Sequence, residues 1–221
     1  MSTTDERHLA ERWAALEAPF ADTSYEGVSE QGAHTALRRV RGRVPVLLSA
    51  PHAVNHPREG RTKLADLGTG GLALLVAELT GARALAALSP VPDRDWADRR
   101  DPFAAALRAE LADGAVVLDL HGMRDVHGMD VCLGTALRRD PATARLRDAA
   151  LRALRGFTVT VDDPFPGAAP HTVLTEVAAS GRAGLQVEIA GRLRDPVGAP
   201  RRAARIVRAL AEIVRSYRDS P

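Results

Sequence analysis

Three stretches of the chain carry the side chains best suited to chemistry. Residues 44–52 read VPVLLSAPH, an apolar run ending on Pro51 and His52, with Asn55, His56, Pro57, Arg58 and Glu59 close behind. Residues 115–122 read AVVLDLHG, a second run that delivers Asp119, His121 and Gly122. Residues 185–189 read LQVEI, with Glu188 set in an otherwise apolar segment. Apolar runs of this length bounded by turn residues read as buried strands. A polar side chain at the end of such a strand lies at the carboxyl edge of a sheet, where open α/β folds bind ligands. Imidazole and carboxylate are the natural nitrogen and oxygen ligands of zinc, and a catalytic zinc keeps three protein ligands and one open position. His52, His121 and one acid meet that requirement.

Two acids compete for the third place. His56-Pro57-Arg58-Glu59 is a literal H-x-x-E, a metal-binding spacing. Asp66 lies where a loop enters a helix, so its carboxylate points back toward the loop. Spacing leaves both open. Glu188 is a different case, because a carboxylate inside an apolar strand is costly unless it is paired or used. Desolvation raises its pKa toward the range of a general base; an ion pair with a neighbouring arginine is the alternative. His127 and His171 fall in loops near the same edge and read as incidental or substrate-facing.

The elements that must position these groups alternate. Residues 3–17 read as an amphipathic helix stopped by Pro19, and residues 20–43 as irregular with one edge strand. Strand 44–50 leads into a polar loop over 51–65. A helix follows from residue 66 or 69 to 79, ending at Gly81, and then a strand over 82–88 and a polar loop over 90–101. A helix from Pro102 to Leu111 precedes strand 115–120. Val131-Cys132-Leu133 is a short strand, 142–154 a helix, 157–161 a strand, and 162–181 a long loop. The strand 185–189 and an amphipathic helix over 200–217 complete the chain. Strands alternating with helices predict an α/β fold, a three-layer α/β/α sandwich with a mixed, largely parallel sheet.

Composition narrows the function classes. With 221 residues, 45% hydrophobic and 26% charged, the chain reads as one globular domain spanning residues 1–221. Aromatics make up only 4%, so the core must rest on Ala, Leu and Val. The sequence pI is about 9.2, yet the net charge is +2 and Lys63 is the single lysine. The arginines of the last helix flank an apolar stripe without interleaved aromatics, which predicts a solvated face and no nucleic-acid partner. The lone Cys132 excludes an intrachain disulfide and, flanked by Val131 and Leu133, reads as a buried, inert thiol. A single cysteine, an N-terminus without a signal-peptide pattern and no long apolar run predict a cytoplasmic protein off the membrane. A nucleophile elbow, a dinucleotide fingerprint and a phosphate-binding loop are all absent from the sequence.

Five motifs in order give a more specific resemblance. They are Ser49-Ala50-Pro51-His52; Lys63 with Asp66, Thr69 and Gly70; Asp119-Leu120-His121-Gly122; Pro164-Phe165-Pro166-Gly167; and Leu185-Gln186-Val187-Glu188-Ile189. Over residues 44–195 the chain resembles the N-formylglutamate amidohydrolase family, which belongs with the zinc carboxypeptidase-like hydrolases. The resemblance implies a single zinc with its water and hydrolysis of a carbon–nitrogen amide bond. It implies His52 and His121 as ligands, Glu188 as the base, and Asp66 rather than Glu59 as the third ligand. The family's usual Pro-His-Ser-Gly is Pro-His-Ala-Val here, and the arginine after the last glutamate is shifted to Arg192. These departures bear on the substrate rather than on hydrolysis.

The expected function is therefore a Zn2+-dependent amidohydrolase acting on a small N-acyl amino acid or a peptide-like amide. Lys63 and Arg124 are the candidate substrate contacts. The alternatives are a zinc peptidase or deacylase working on a modified peptide, and a metal-binding module without catalysis.

Overall fold

Hydrophobic alternation along the strands dictates where the layers meet. The computed structural model describes residues 3–28, 37–58, 60–90, 102–170 and 172–218. Nine strands are described: β1 Leu37–Val40, β2 Val46–Ala50, β3 His56–Arg58, β4 Arg61–Lys63, β5 Arg83–Ala87, β6 Val116–Met123, β7 Val131–Gly134, β8 Val159–Val161 and β9 Gly184–Ala190. Six helices accompany them: α1 Thr3–Ala21, α2 Thr69–Thr80, α3 Pro102–Ala112, α4 Pro141–Ala153, α5 Val173–Ala179 and α6 Pro200–Arg218. Seven strands form one sheet in the order β1-β5-β2-β6-β9-β7-β8, while β3 and β4 form a separate hairpin. Strands β5, β2, β6 and β9 run parallel; β1 and β7 join the two ends of that group antiparallel, and β8 runs parallel to β7. This is the expected mixed, largely parallel α/β sheet.

One face of the sheet presents Val46, Leu48, Val116, Leu118, Leu185, Val187 and Ile189 to α1, α2, α4 and α6. The other presents Leu47, Leu85 and Val117 to α3 and α5, through Phe103, Leu107, Val173 and Leu174. Period-two alternation continues along this second face, but its next side chains are polar. Ser49, Asp119, His121, Gln186 and Glu188 are all buried there. The carboxyl end of this second face is where the candidate site lies.

Several expectations are corrected. Pro19 lies inside the last turn of α1 rather than ending it, and the helix runs on to Ala21 with Phe20 fully buried. The loop over 51–65 contains the β3–β4 hairpin. The loop over 162–181 contains α5, which Thr172 opens with a capping box to Thr175. Strand β6 runs to Met123, so His121 stands within the strand and not beyond it, because pairing with β9 continues through Met123 and Ala190. The polar loop expected over 90–101 lies outside the described residues, apart from Pro90. No described helix is long and apolar enough to cross a membrane.

Candidate active site

β6 and β9 pair in parallel with His121 opposite Glu188 and Asp119 opposite Gln186, so all four side chains share one face. His52 enters two residues after β2, the strand on the other side of β6. Its carbonyl accepts a hydrogen bond from the Asp66 amide at 2.8 Å, which ties the two candidate ligand loops together. The Asp66 carbonyl in turn accepts from the Thr69 hydroxyl at 2.7 Å as α2 begins.

These ties bring His52, Asp66 and His121 into one buried cluster whose ligand atoms all lie within 4.8 Å of one another. The Asp66 Oδ2 atom is 3.4 Å from His121 Nδ1 and 3.6 Å from His52 Nδ1. Bonds of about 2.0–2.1 Å to a tetrahedral ion place its ligands roughly 3.3 Å apart, close to both of these carboxylate–imidazole separations, and the donor set of two imidazoles and a carboxylate suits a zinc ion. The second nitrogen of His121, Nε2, lies 2.8 Å from Asp119 Oδ2. A carboxylate on the far nitrogen fixes the tautomer and leaves Nδ1 to face the metal position, the arrangement common to metal-binding histidines. His52 is steadied differently, its ring stacked on that of His56 with centroids 4.1 Å apart. Glu59, the competing ligand, and His171 lie outside the described residues.

The electrostatics match this donor set. Burial pushes the His121 pKa down, but Asp119, Asp66 and Glu188 outweigh it and hold the ring's pKa well above that of an ordinary histidine. Burial likewise pushes Asp66 up, and the hydrogen bonds of His121 and His52 with the charge of Lys63 bring it well below the usual carboxylate range. Buried acids thus gather around two imidazoles, a charge distribution that welcomes a cation. Glu188 moves the other way. Burial raises its pKa, and although the charge of His121 pulls it down, repulsion from Asp66 adds to the rise and the net shift is upward. Its Oε1 accepts from the Gln186 amide at 2.9 Å, so a neighbouring amide rather than an arginine supplies this bond.

Around the cluster opens a cavity of about 1310 Å3. Lys63 and Arg124 both line it, as does His127. The Lys63 ammonium is turned to Asp66 Oδ1 at 2.7 Å, beside the acid. Arg192, the shifted arginine of the sequence comparison, is tied to Asp125 at 3.3 Å and Asp130 at 2.9 Å. Sequence reasoning missed Arg194, which lines the cavity. Its guanidinium donates to the carbonyls of Ile189 (2.9 Å), Leu67 and Met123 (3.5 Å). A Cβ at position 122 would come within 2.5 Å of that guanidinium, so the glycine after His121 makes its room. Cys132 is buried, with its thiol 3.4 Å from the Asp163 carbonyl.

Glu17, fifty residues away in sequence, holds the floor of the site. From α1 its carboxylate accepts from the amides of Gly68 (2.9 Å) and Gly71 (2.6 Å), capping α2 just beyond Asp66. Trp13 Nε1 donates to the Gly68 carbonyl at 2.9 Å beside it. Gly68 has a φ of +86°, and a Cβ there would meet the Arg194 carbonyl at 2.8 Å. Burial raises the Glu17 pKa to about 7, against the pull of the Gly71, Gly68 and Tyr25 hydrogen bonds and of Arg194. A folded-state pKa above the unfolded 4.5 gives a stability contribution complete below that pH and lost as pH rises through about 7. Urea titrations of the wild type across that window should lose as much as about 3 kcal/mol relative to Glu17→Gln. Parallel curves for the two proteins would refute the assignment.

Comparison with known proteins agrees with this architecture. The family model described as N-formylglutamate amidohydrolase matches residues 59–193. The solved N-formylglutamate amidohydrolase of Ralstonia eutropha JMP134 superposes with a TM-score of 0.57 at 18% identity, covering 82% of this chain and 98% of that one. A metallo-carboxypeptidase of Pseudomonas aeruginosa superposes with a TM-score of 0.54 at 18% identity, covering 99% of this chain and 70% of that one. A UPF0749 protein of Mycobacterium tuberculosis is 28% identical over 214 residues, 80% of this chain and 68% of that one.

Proposed function

The chain belongs to the N-formylglutamate amidohydrolase family, and from that membership and the site's geometry we propose that it is a zinc-dependent amidohydrolase cleaving the C–N bond of a small N-acyl amino acid or peptide-like amide. The observation that carries this reading is the convergence of His52, Asp66 and His121, with Glu188 paired in register to His121, in one cavity. His52, Asp66 and His121 hold the zinc, and Asp119 and Lys63 orient two of them from outside. When bound, zinc supplies an acidified water and a Lewis acid for the amide carbonyl. Glu188, its pKa raised by burial, takes the proton of the attacking water on its carboxylate. It then returns that proton to the leaving nitrogen, so that the C–N bond breaks to an amine and a carboxylic acid. Arg194, braced by three carbonyls, and Arg124 supply positive charge for the developing oxyanion or for a substrate carboxylate.

Metal analysis of the purified protein, followed by assay on N-formyl and N-acetyl amino acids and on dipeptides, tests the reading. About one zinc per chain is expected, with amide hydrolysis lost on chelation and restored by zinc. Activity confined to the dipeptides would assign a peptidase. Stoichiometric zinc without hydrolysis of any amide would leave a metal-binding module.

A further inference from the structure

The rim of the cavity has a composition that its floor does not explain. Seven large hydrophobic side chains are exposed among the described residues, and four of them, Leu64, Leu67, Val126 and Val197, line this one cavity. They arrive from three separate segments. Leu64 and Leu67 flank Asp66, Val126 sits in the 3-10 turn Asp125–His127 after β6, and Val197 follows the 3-10 turn Gly191–Leu193 after β9. Val126 is 74% exposed and Val197 79% exposed. Scattered exposed aliphatics are ordinary on a protein surface, whereas convergence on one concavity marks a binding surface. Phe165 adds an aromatic face from the loop after β8, its ring edge-on to His127 at 5.0 Å.

Resting on the hydrolase reading above, we infer that the substrate carries a sizeable apolar group beside the scissile amide, seated against Leu64, Leu67, Val126 and Val197. The cavity of about 1310 Å3 exceeds the roughly 300–1000 Å3 of ordinary small-ligand pockets. A one-carbon acyl group on a doubly charged amino acid leaves this rim empty. An aliphatic acyl chain or a large apolar side chain fills it, and the continuity of rim and candidate metal centre within one cavity makes a substrate group the occupant.

Two matched series separate the sources of that apolar group: N-butyryl-, N-hexanoyl- and N-octanoylglycine, and N-formylglycine, N-formylleucine and N-formylphenylalanine. Each is followed by kcat/KM on the zinc-loaded protein and by calorimetric Kd on zinc-loaded Glu188→Gln. At least one series should tighten by roughly two- to fourfold per added methylene equivalent, the scale of burying that group. The double change Val126→Asp with Val197→Asp, at two exposed positions, should flatten the rise while the circular dichroism spectrum stays unchanged. Flat dependence in both series overturns the inference. So does a wild-type dimer, seen by light scattering, that the double change dissociates, because the rim then belongs to a second copy. Rising affinity without hydrolysis of any amide would sink the hydrolase reading and leave only the apolar seat of this one standing. Hydrolysis with two flat series would do the reverse.

Discussion

Glu188→Gln should retain its zinc and lose about a hundredfold or more in turnover, the usual scale for removing a general base. The substitution changes one atom. Gln keeps the length and volume of Glu and still offers a carbonyl oxygen to the Gln186 amide, which donates to Glu188 Oε1 at 2.9 Å. Its place in β9 rests on ladder pairing to β6 on one side and β7 on the other, neither of which involves the side chain. What disappears is proton affinity. Burial raises the Glu188 pKa and Asp66 raises it further, so the carboxylate is a stronger base than an exposed glutamate. An amide cannot take a proton from water at neutral pH. The acidic limb of the pH–rate profile that this carboxylate causes should vanish with the activity, whereas zinc content should not change. Equal turnover in the two proteins would remove Glu188 from the chemistry, and lost zinc would make it a ligand.

The parts of this site that could be read from the sequence are those that period-two alternation dictates. In LDLHG and LQVEI, every second residue must face one side of the sheet, so Glu188 follows from strand recognition alone, and His121 does once the strand is carried past residue 120. The same rule puts Asp119 on the face of His121, two residues before it, and this signal was there to use. Only the family resemblance favours Asp66 over Glu59, because nothing in loop spacing says which acid folds back; in three dimensions the Asp66 amide's bond to the His52 carbonyl holds Asp66 beside His52. Arg194 was hidden for another reason. Arg192 and Arg194 flank Leu193 at the same short turn, and what distinguishes them is tertiary: Arg192 pairs with Asp125 and Asp130, while Arg194 packs over Gly122 and donates to three carbonyls. Glu17 was beyond reach, since its role as the cap of α2 depends on how α1 docks fifty residues away. Helix α5, at seven residues, is too short for periodicity to announce, although Thr172, Thr175 and the apolar Val173, Leu174 and Val177 mark its start and buried side.

The sharpest test of the metal site contrasts three acids. Asp66→Ala removes the carboxylate that stands 3.4 Å and 3.6 Å from the two imidazole nitrogens, which on the proposed ligand set leaves two ligands where a catalytic zinc needs three. Asp119→Ala leaves all three ligands but frees His121 Nε2 from the partner that sets its tautomer. Losing such an outer carboxylate costs about 10–100-fold in metal affinity. Loss of Asp66 should cost more than that, and Glu59→Ala should cost nothing. Chelator competition ranks the three affinities directly. Thermal unfolding gives an independent measure, because an ion that binds only the folded chain raises Tm with its concentration. Added zinc should therefore stabilise the wild type and Glu59→Ala strongly, Asp119→Ala at higher concentration, and Asp66→Ala hardly at all. If Glu59→Ala alone abolishes the zinc response, the third ligand belongs to the His56–Glu59 segment, and the Asp66 carboxylate only holds the two imidazoles in place.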